Sequence, residues 1–156
     1  MNNYAFIDSQ NLNLGVLDQG WKLDFKKFRV FLKDRYKVNK AYLFIGYIPS
    51  NKNLYSILKD FGYEVVFKPT VVNDEKAVKG NVDAELVLHT MIEYKNFNKA
   101  IIISGDGDFY CLVEYLKFQN KLEKLIVPGP KYSSLLRKFS QYIVNINSWK
   151  EKLKRQ

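Results

Sequence analysis

Short apolar runs alternate with amphipathic stretches along nearly the whole chain. The runs at 4–8, 40–47, 63–68, 99–104, 124–127 and 142–144 have the length and the β-branched and aromatic content of buried strands. In the gaps, apolar residues return every three or four positions over 24–36, 51–61, 82–94, 109–118 and 133–139, a period that predicts helices. Strand and helix in turn predict an α/β fold, with a central, mainly parallel sheet, helices on both faces and right-handed crossovers. Two stretches break the rhythm. Residues 68–79, with Pro69, Asn73 and Asp74, read as a loop bordering the site and leading into a Lys79–Gly80 turn. Residues 149–156 carry Lys150, Lys152, Lys154 and Arg155 and read as a frayed helix or solvated tail, so the expected division is a domain over 1–146 and a basic tail over 147–156.

The polar residues that interrupt this pattern are informative. The first apolar run stops at Asp8 and continues into a polar Ser9-Gln10-Asn11 turn; the fourth stops at Ser104-Gly105-Asp106-Gly107-Asp108. Buried parallel strands whose carboxyl ends open into a site read this way, and ligands gather there where the strand order reverses. If these two strands are neighbours across the reversal, Asp8 and Asp106 come within reach of one ion. Asp83 belongs to a third segment, Lys79-Gly80-Asn81-Val82-Asp83. With Asn81 as N-cap, Asp83 falls in the first turn of a helix, leaning toward the core side that Leu86, Val87 and Met91 supply. Glu85, His89 and Glu93 then form a polar, solvent-facing stripe. A helix cap accounts for one of Asp106 and Asp108 but seldom for both, because two close carboxylates repel unless a cation lies between them.

Charge sharpens the picture. The 156 residues carry 25 Lys+Arg against 16 Asp+Glu, a formal net charge of +9, which favours a polyanionic partner while the acids concentrate in the proposed site. Hard oxygen ligands on a basic protein point to Mg²⁺ or Mn²⁺ acting on nucleic acid. Lys131, Tyr132, Arg137 and Lys138 follow the strand ending at Val127, on the same edge as the acids, and are expected to guide a phosphate backbone, with an exposed Tyr132 stacking on a base. The basic residues from Lys22 to Lys37 read as the solvated face of a helix. The lone Cys111 rules out an internal disulfide or a cysteine-rich zinc site and reads as a small core residue in a reducing compartment. Neither a signal-like N-terminus nor an apolar run of membrane-spanning length appears, so a soluble, cytoplasmic protein is expected.

Phe-Ile-Asp-x-Gln-Asn-Leu at 6–12, Lys-Gly-Asn-Val-Asp at 79–83 and Ile-Ser-Gly-Asp-Gly-Asp-Phe at 103–109, in that order, resemble the signatures of the NYN domain, a branch of the PIN-like nucleases. The resemblance covers about residues 4–144. It implies a single three-layer α/β/α PIN-like domain and a metal-dependent ribonuclease, with Mg²⁺ or Mn²⁺ held by Asp8, Asp83, Asp106 and Asp108. It also implies that Asn11 orients a ligand or water and that Lys79 faces a substrate phosphate. The implied partner is single-stranded RNA, cut endonucleolytically, and a homodimer is compatible with it. His89 departs from the pattern, since many relatives carry Asp at that place.

Two other phosphate chemistries fit less well. A haloacid-dehalogenase-type phosphatase uses Asp-x-Asp on its first strand, whereas Asp8 is followed by Ser9 and Gln10. A dinucleotide-binding domain wants a glycine-rich turn there, not a carboxylate that repels phosphate. The remaining alternative is a noncatalytic RNA-binding or assembly module on the same fold.

Overall fold

The computed structural model describes residues 1–69 and 81–156. Its sheet has six parallel strands, β1 (Asn3–Asp8), β2 (Val38–Gly46), β3 (Tyr63–Lys68), β4 (Ala100–Ile103), β5 (Leu122–Val127) and β6 (Ile143–Asn145), in the order β3-β2-β1-β4-β5-β6. The chain builds outward from β1 to β3, crosses back, and builds outward again from β4. The reversal therefore lies between β1 and β4, whose register pairs Ile7 with Ile103.

Burial on both faces explains why these two strands read as unbroken apolar runs. Every residue of β1 and of β4 is buried. Because alternate side chains point to opposite faces, Ala5 and Ile7 enter one core and Tyr4 and Phe6 the other. On the first face lie α1 (Ser9–Asp18) and α2 (Phe25–Tyr36), contributing Leu12, Val16, Phe28 and Leu32. A third helix, α3 (Lys52–Asp60), adds Leu58 to the same core. The second face is covered by α4 (Asp83–Ile92) and α5 (Tyr110–Phe118), through Leu86, Leu112, Val113 and Leu116.

Four local expectations change. The polar segment after Asp8 is the first turn of α1, not an open turn: Leu12 and Val16, four apart, give that helix its buried stripe. Residues 134–139 form a 3₁₀ helix, not an α-helix. Cys111 is exposed on α5, because its neighbours Leu112 and Val113 take the core-facing positions. The C-terminal residues, read as frayed or solvated, are packed. Helix α6 (Lys150–Leu153) buries Leu153, and the Trp149 ring packs at a tilt against Phe31 of α2, with centroids 4.6 Å apart. Beyond it, Lys154 forms an antiparallel bridge with Leu23, and the Arg155 N–H donates to the Lys22 carbonyl at 2.9 Å. The apolar Trp149 and Leu153 outweigh the lysines around them, whose charged ends stay at the surface.

Candidate metal centre

Asp8 is the last residue of β1 and the N-cap of α1, with its carboxylate accepting the Asn11 N–H at 3.3 Å. Its second oxygen accepts from Ser104 Oγ at 3.3 Å. Ser104 follows β4 and is itself buried; its Oγ also accepts the Asp106 N–H at 3.0 Å. Asn11 closes the same frame from the other side, its Oδ1 accepting the Gly105 N–H at 2.8 Å. One hydroxyl and one amide thus tie the end of β1 to the turn after β4, across the reversal of strand order.

The turn is tight. Asp106 caps the 3₁₀ turn Gly107–Phe109 by accepting the Asp108 N–H at 2.9 Å, which fixes its carboxylate. A Cβ on Gly107 would meet Ser133 Oγ at 2.2 Å, so any larger residue there forces Ser133 to shift. Asp83 arrives from the other core as the first residue of α4, with its N–H bound by Asn81 Oδ1 at 3.0 Å; the N-cap position itself is Val82, one residue later than expected. Asp8, Asp83 and Asp106 each offer an oxygen within 4.8 Å of the others.

Such proximity has an electrostatic cost. Burial is the larger cause holding the Asp8 carboxyl at about 6, against 3.8 for an ordinary aspartate; the Asn11 and Ser104 bonds pull it down and the charge of Asp106 pushes it up. Asp83 is raised further, to about 7, by burial, by the charge of Asp106, by a hydrogen bond to Asp108 and by Asp8. Among the described residues, the ion pairs are Lys138 with Glu114 and Lys154 with Glu151, and neither touches this cluster. An all-oxygen group of converging carboxylates, with two of them raised and no cationic partner of their own among the described residues, fits a hard divalent cation.

The family model for the NYN domain matches residues 4–147. The chain belongs to the NYN domain family. A crystal structure of a protein of unknown function from Vibrio parahaemolyticus has the same architecture, with a TM-score of 0.77 and 23% identity over 99% of this chain and 96% of that one. That likeness concerns the fold. No curated protein matches the chain. Membership agrees with the nuclease-like frame that the three segments imply, and the structure brings Asp8, Asp83 and Asp106 of those segments to one point.

The other expected site residues are placed less evenly around the NYN centre. Asp108 is exposed beside Asp83. Lys131, exposed, shares a small cavity of about 370 Å³ with Asn11 and Gly105, next to the acids. Tyr132 is half-buried, its side chain packed against the second core with its Cβ beside Gly105, and is not an exposed ring. Arg137 is exposed, whereas Lys138 is ion-paired with Glu114. Lys79, and the loop reading of the chain before it from residue 70 onward, lie outside the described residues.

His89 corrects the solvent-facing reading. It is half-buried, with its ring 4.9 Å from Tyr42 and 5.7 Å from Phe44, while Glu93 accepts the Tyr42 hydroxyl at 2.8 Å. The stripe therefore lies against the aromatic face of β2, and Leu88, Met91 and Ile92 are the exposed side of α4. The residue missed as a participant was Ser104. Its only sequence signal was a hydroxyl directly after an all-isoleucine strand end, where a buried polar group needs partners.

Proposed function

We propose that this NYN domain is a divalent-metal-dependent ribonuclease, and the observation that carries the reading is the convergence of Asp8, Asp83 and Asp106 at the reversal of strand order. These three would hold Mg²⁺ or Mn²⁺, which when bound supplies positive charge to a phosphate oxygen and a lowered pKa to the attacking water. Burial and crowding raise two of the acids, and that penalty is relieved when a cation compensates their charge. Asp108 shares a hydrogen bond with Asp83 while exposed to solvent, which suits it to take a proton through water. Ser104 and Asn11 act as positioning residues, holding Asp8 and the Gly105 turn, and Asn11 keeps its expected role of orienting a ligand or water.

Substrate contacts follow from position. Lys131, beside Asn11 and Gly105, is placed to neutralise a phosphate near the acids, with Arg137 farther along the same segment. Lys79 is assigned a phosphate contact from its motif alone, while Tyr132 packs beside the turn. The substrate is single-stranded RNA and the cut endonucleolytic, in a cytoplasmic setting.

Purified protein incubated with end-labelled single-stranded RNA in Mn²⁺, Mg²⁺ or EDTA, beside an identically prepared Asp106→Asn variant, tests this. Internal cuts that need metal and disappear in the variant are expected. RNA binding without cleavage by either form would replace the enzyme with the noncatalytic module.

A further inference from the structure

A separate cavity of about 490 Å³ opens on the same edge of the sheet as the acids. Its near side is Ser9 and Gln10, the two residues that follow Asp8, and its back is Ile45 and Gly46, at the end of the strand that pairs Phe44 with Asp8. Its walls are apolar, from Leu23 and Phe25 before α2 and within its first turn to Leu54 and Leu58 of α3. Leu54 remains 45% exposed and Leu17, which also lines the cavity, 43%, so its apolar lining is open to solvent at both residues.

Charge distinguishes this cavity from two others among the described residues. The groove along α2, about 1070 Å³, mixes its lysines with Asp24, Asp34 and Glu123, and the small cavity at Lys131 includes Asp18. The cavity beside Asp8 is lined by Lys22 and Arg155 and by no carboxylate. Arg155 is there because the C-terminal segment is docked: the Leu153 burial, the Leu23 to Lys154 bridge and the Arg155 N–H on the Lys22 carbonyl hold the two cations at one rim. Apolar walls, the amides of Gln10 and Asn13, and paired cations make up the chemistry of a nucleotide site, with a flat base, its polar edge and its phosphate each matched.

We propose that this cavity is a nucleobase subsite for single-stranded RNA. An unpaired base beside the scissile phosphate enters against Leu54 and Leu17, and Lys22 and Arg155 meet the flanking phosphate. The assignment rests on the ribonuclease reading for the nature of the polyanion, and it gives the C-terminal segment a role in substrate selection. A duplex, whose bases are stacked and paired, cannot fill the cavity.

Binding in EDTA separates this inference from catalysis, because the RNA stays intact. Fluorescence anisotropy would follow a labelled single-stranded hexanucleotide, a set with one abasic position at a time, and the matched duplex, with wild type, Leu54→Trp and Arg155→Ala. One abasic position should weaken wild-type binding about tenfold. Leu54→Trp, which fills the cavity from a partly exposed wall, should bind the intact RNA as weakly as the abasic one and show no further loss with it. Arg155→Ala should lower the salt dependence of binding by about one unit. A flat abasic series, duplex bound as tightly as single strand, or no RNA binding by wild type would overturn the subsite. Cleavage lost in Asp106→Asn with a flat abasic series discards the subsite and keeps the nuclease; cavity-dependent binding without cleavage does the reverse.

Discussion

Replacing Asp8 by Asn should stabilise the metal-free protein at neutral pH, although it removes a central residue of the acidic cluster. Asp8 is 6% exposed and its carboxyl is held at about 6 against 3.8 when ordinary. In the unfolded chain it loses its proton near pH 4, whereas in the folded protein it keeps it until about pH 6. Its contribution therefore favours the fold below pH 4 and is lost as pH rises through 6. At about 1.36 kcal/mol per unit, the cost of ionising it above pH 7 is roughly 3 kcal/mol at most. Asn keeps both an acceptor for the Asn11 N–H and cap preference, so the helix start is retained. For a chain of 156 residues, a gain of about 1–3 kcal/mol raises Tm by roughly 2–10 °C. Thermal unfolding in EDTA from pH 4 to pH 8 should show the curves meeting at the acid end and the variant rising above wild type toward pH 8. With millimolar Mn²⁺ the order should invert, because the ion stabilises only the form that binds it. A variant less stable than wild type in EDTA at pH 7.5, or a gap that does not change with pH, would refute the electrostatic reasoning.

Other outcomes follow from the same geometry. Ser104→Ala removes a donor to Asp8 and an acceptor for the Asp106 N–H, so cleavage should fall at least tenfold while RNA affinity in EDTA stays unchanged, and the acid limb of the pH–rate profile should move upward. Gly107→Ala places a methyl 2.2 Å from Ser133 Oγ and should cost about 1–3 kcal/mol in urea unfolding, partly recovered in the double variant with Ser133→Gly. Leu153→Ala empties a buried position under α2 and should cost about 2–4 kcal/mol, a loss that a solvated tail would not show.

Much of the frame was legible because parallel strands buried on both faces leave plain apolar runs. The all-buried Tyr4-Ala5-Phe6-Ile7 and Ala100-Ile101-Ile102-Ile103 segments could be read as strands, and the carboxylates that ended them marked the site edge. Helix α1 was hidden because its first turn is polar and does double duty, with Asp8 serving both as cap and as cluster member. The C-terminal segment was misread for a different reason. Its lysines dominate a short window, and the partners that bury Trp149 and Leu153 lie more than a hundred residues earlier, in α2. His89 was placed in solvent by counting along one helix, but its surroundings are set by Tyr42 and Phe44 on β2, which no local period reports. Long-range contact, rather than local propensity, decided the C-terminal segment and His89.

The central claim, that the three carboxylates form one metal centre, is tested most directly by calorimetric titration of Mn²⁺ into wild type, Asp83→Asn, Asp106→Asn and, as a control outside the cluster, Arg137→Ala. Binding by wild type and by Arg137→Ala, weakened at least tenfold in each Asp variant, is the expected result. Equal Mn²⁺ affinity in all four proteins, or none in wild type shown to be folded, would contradict it.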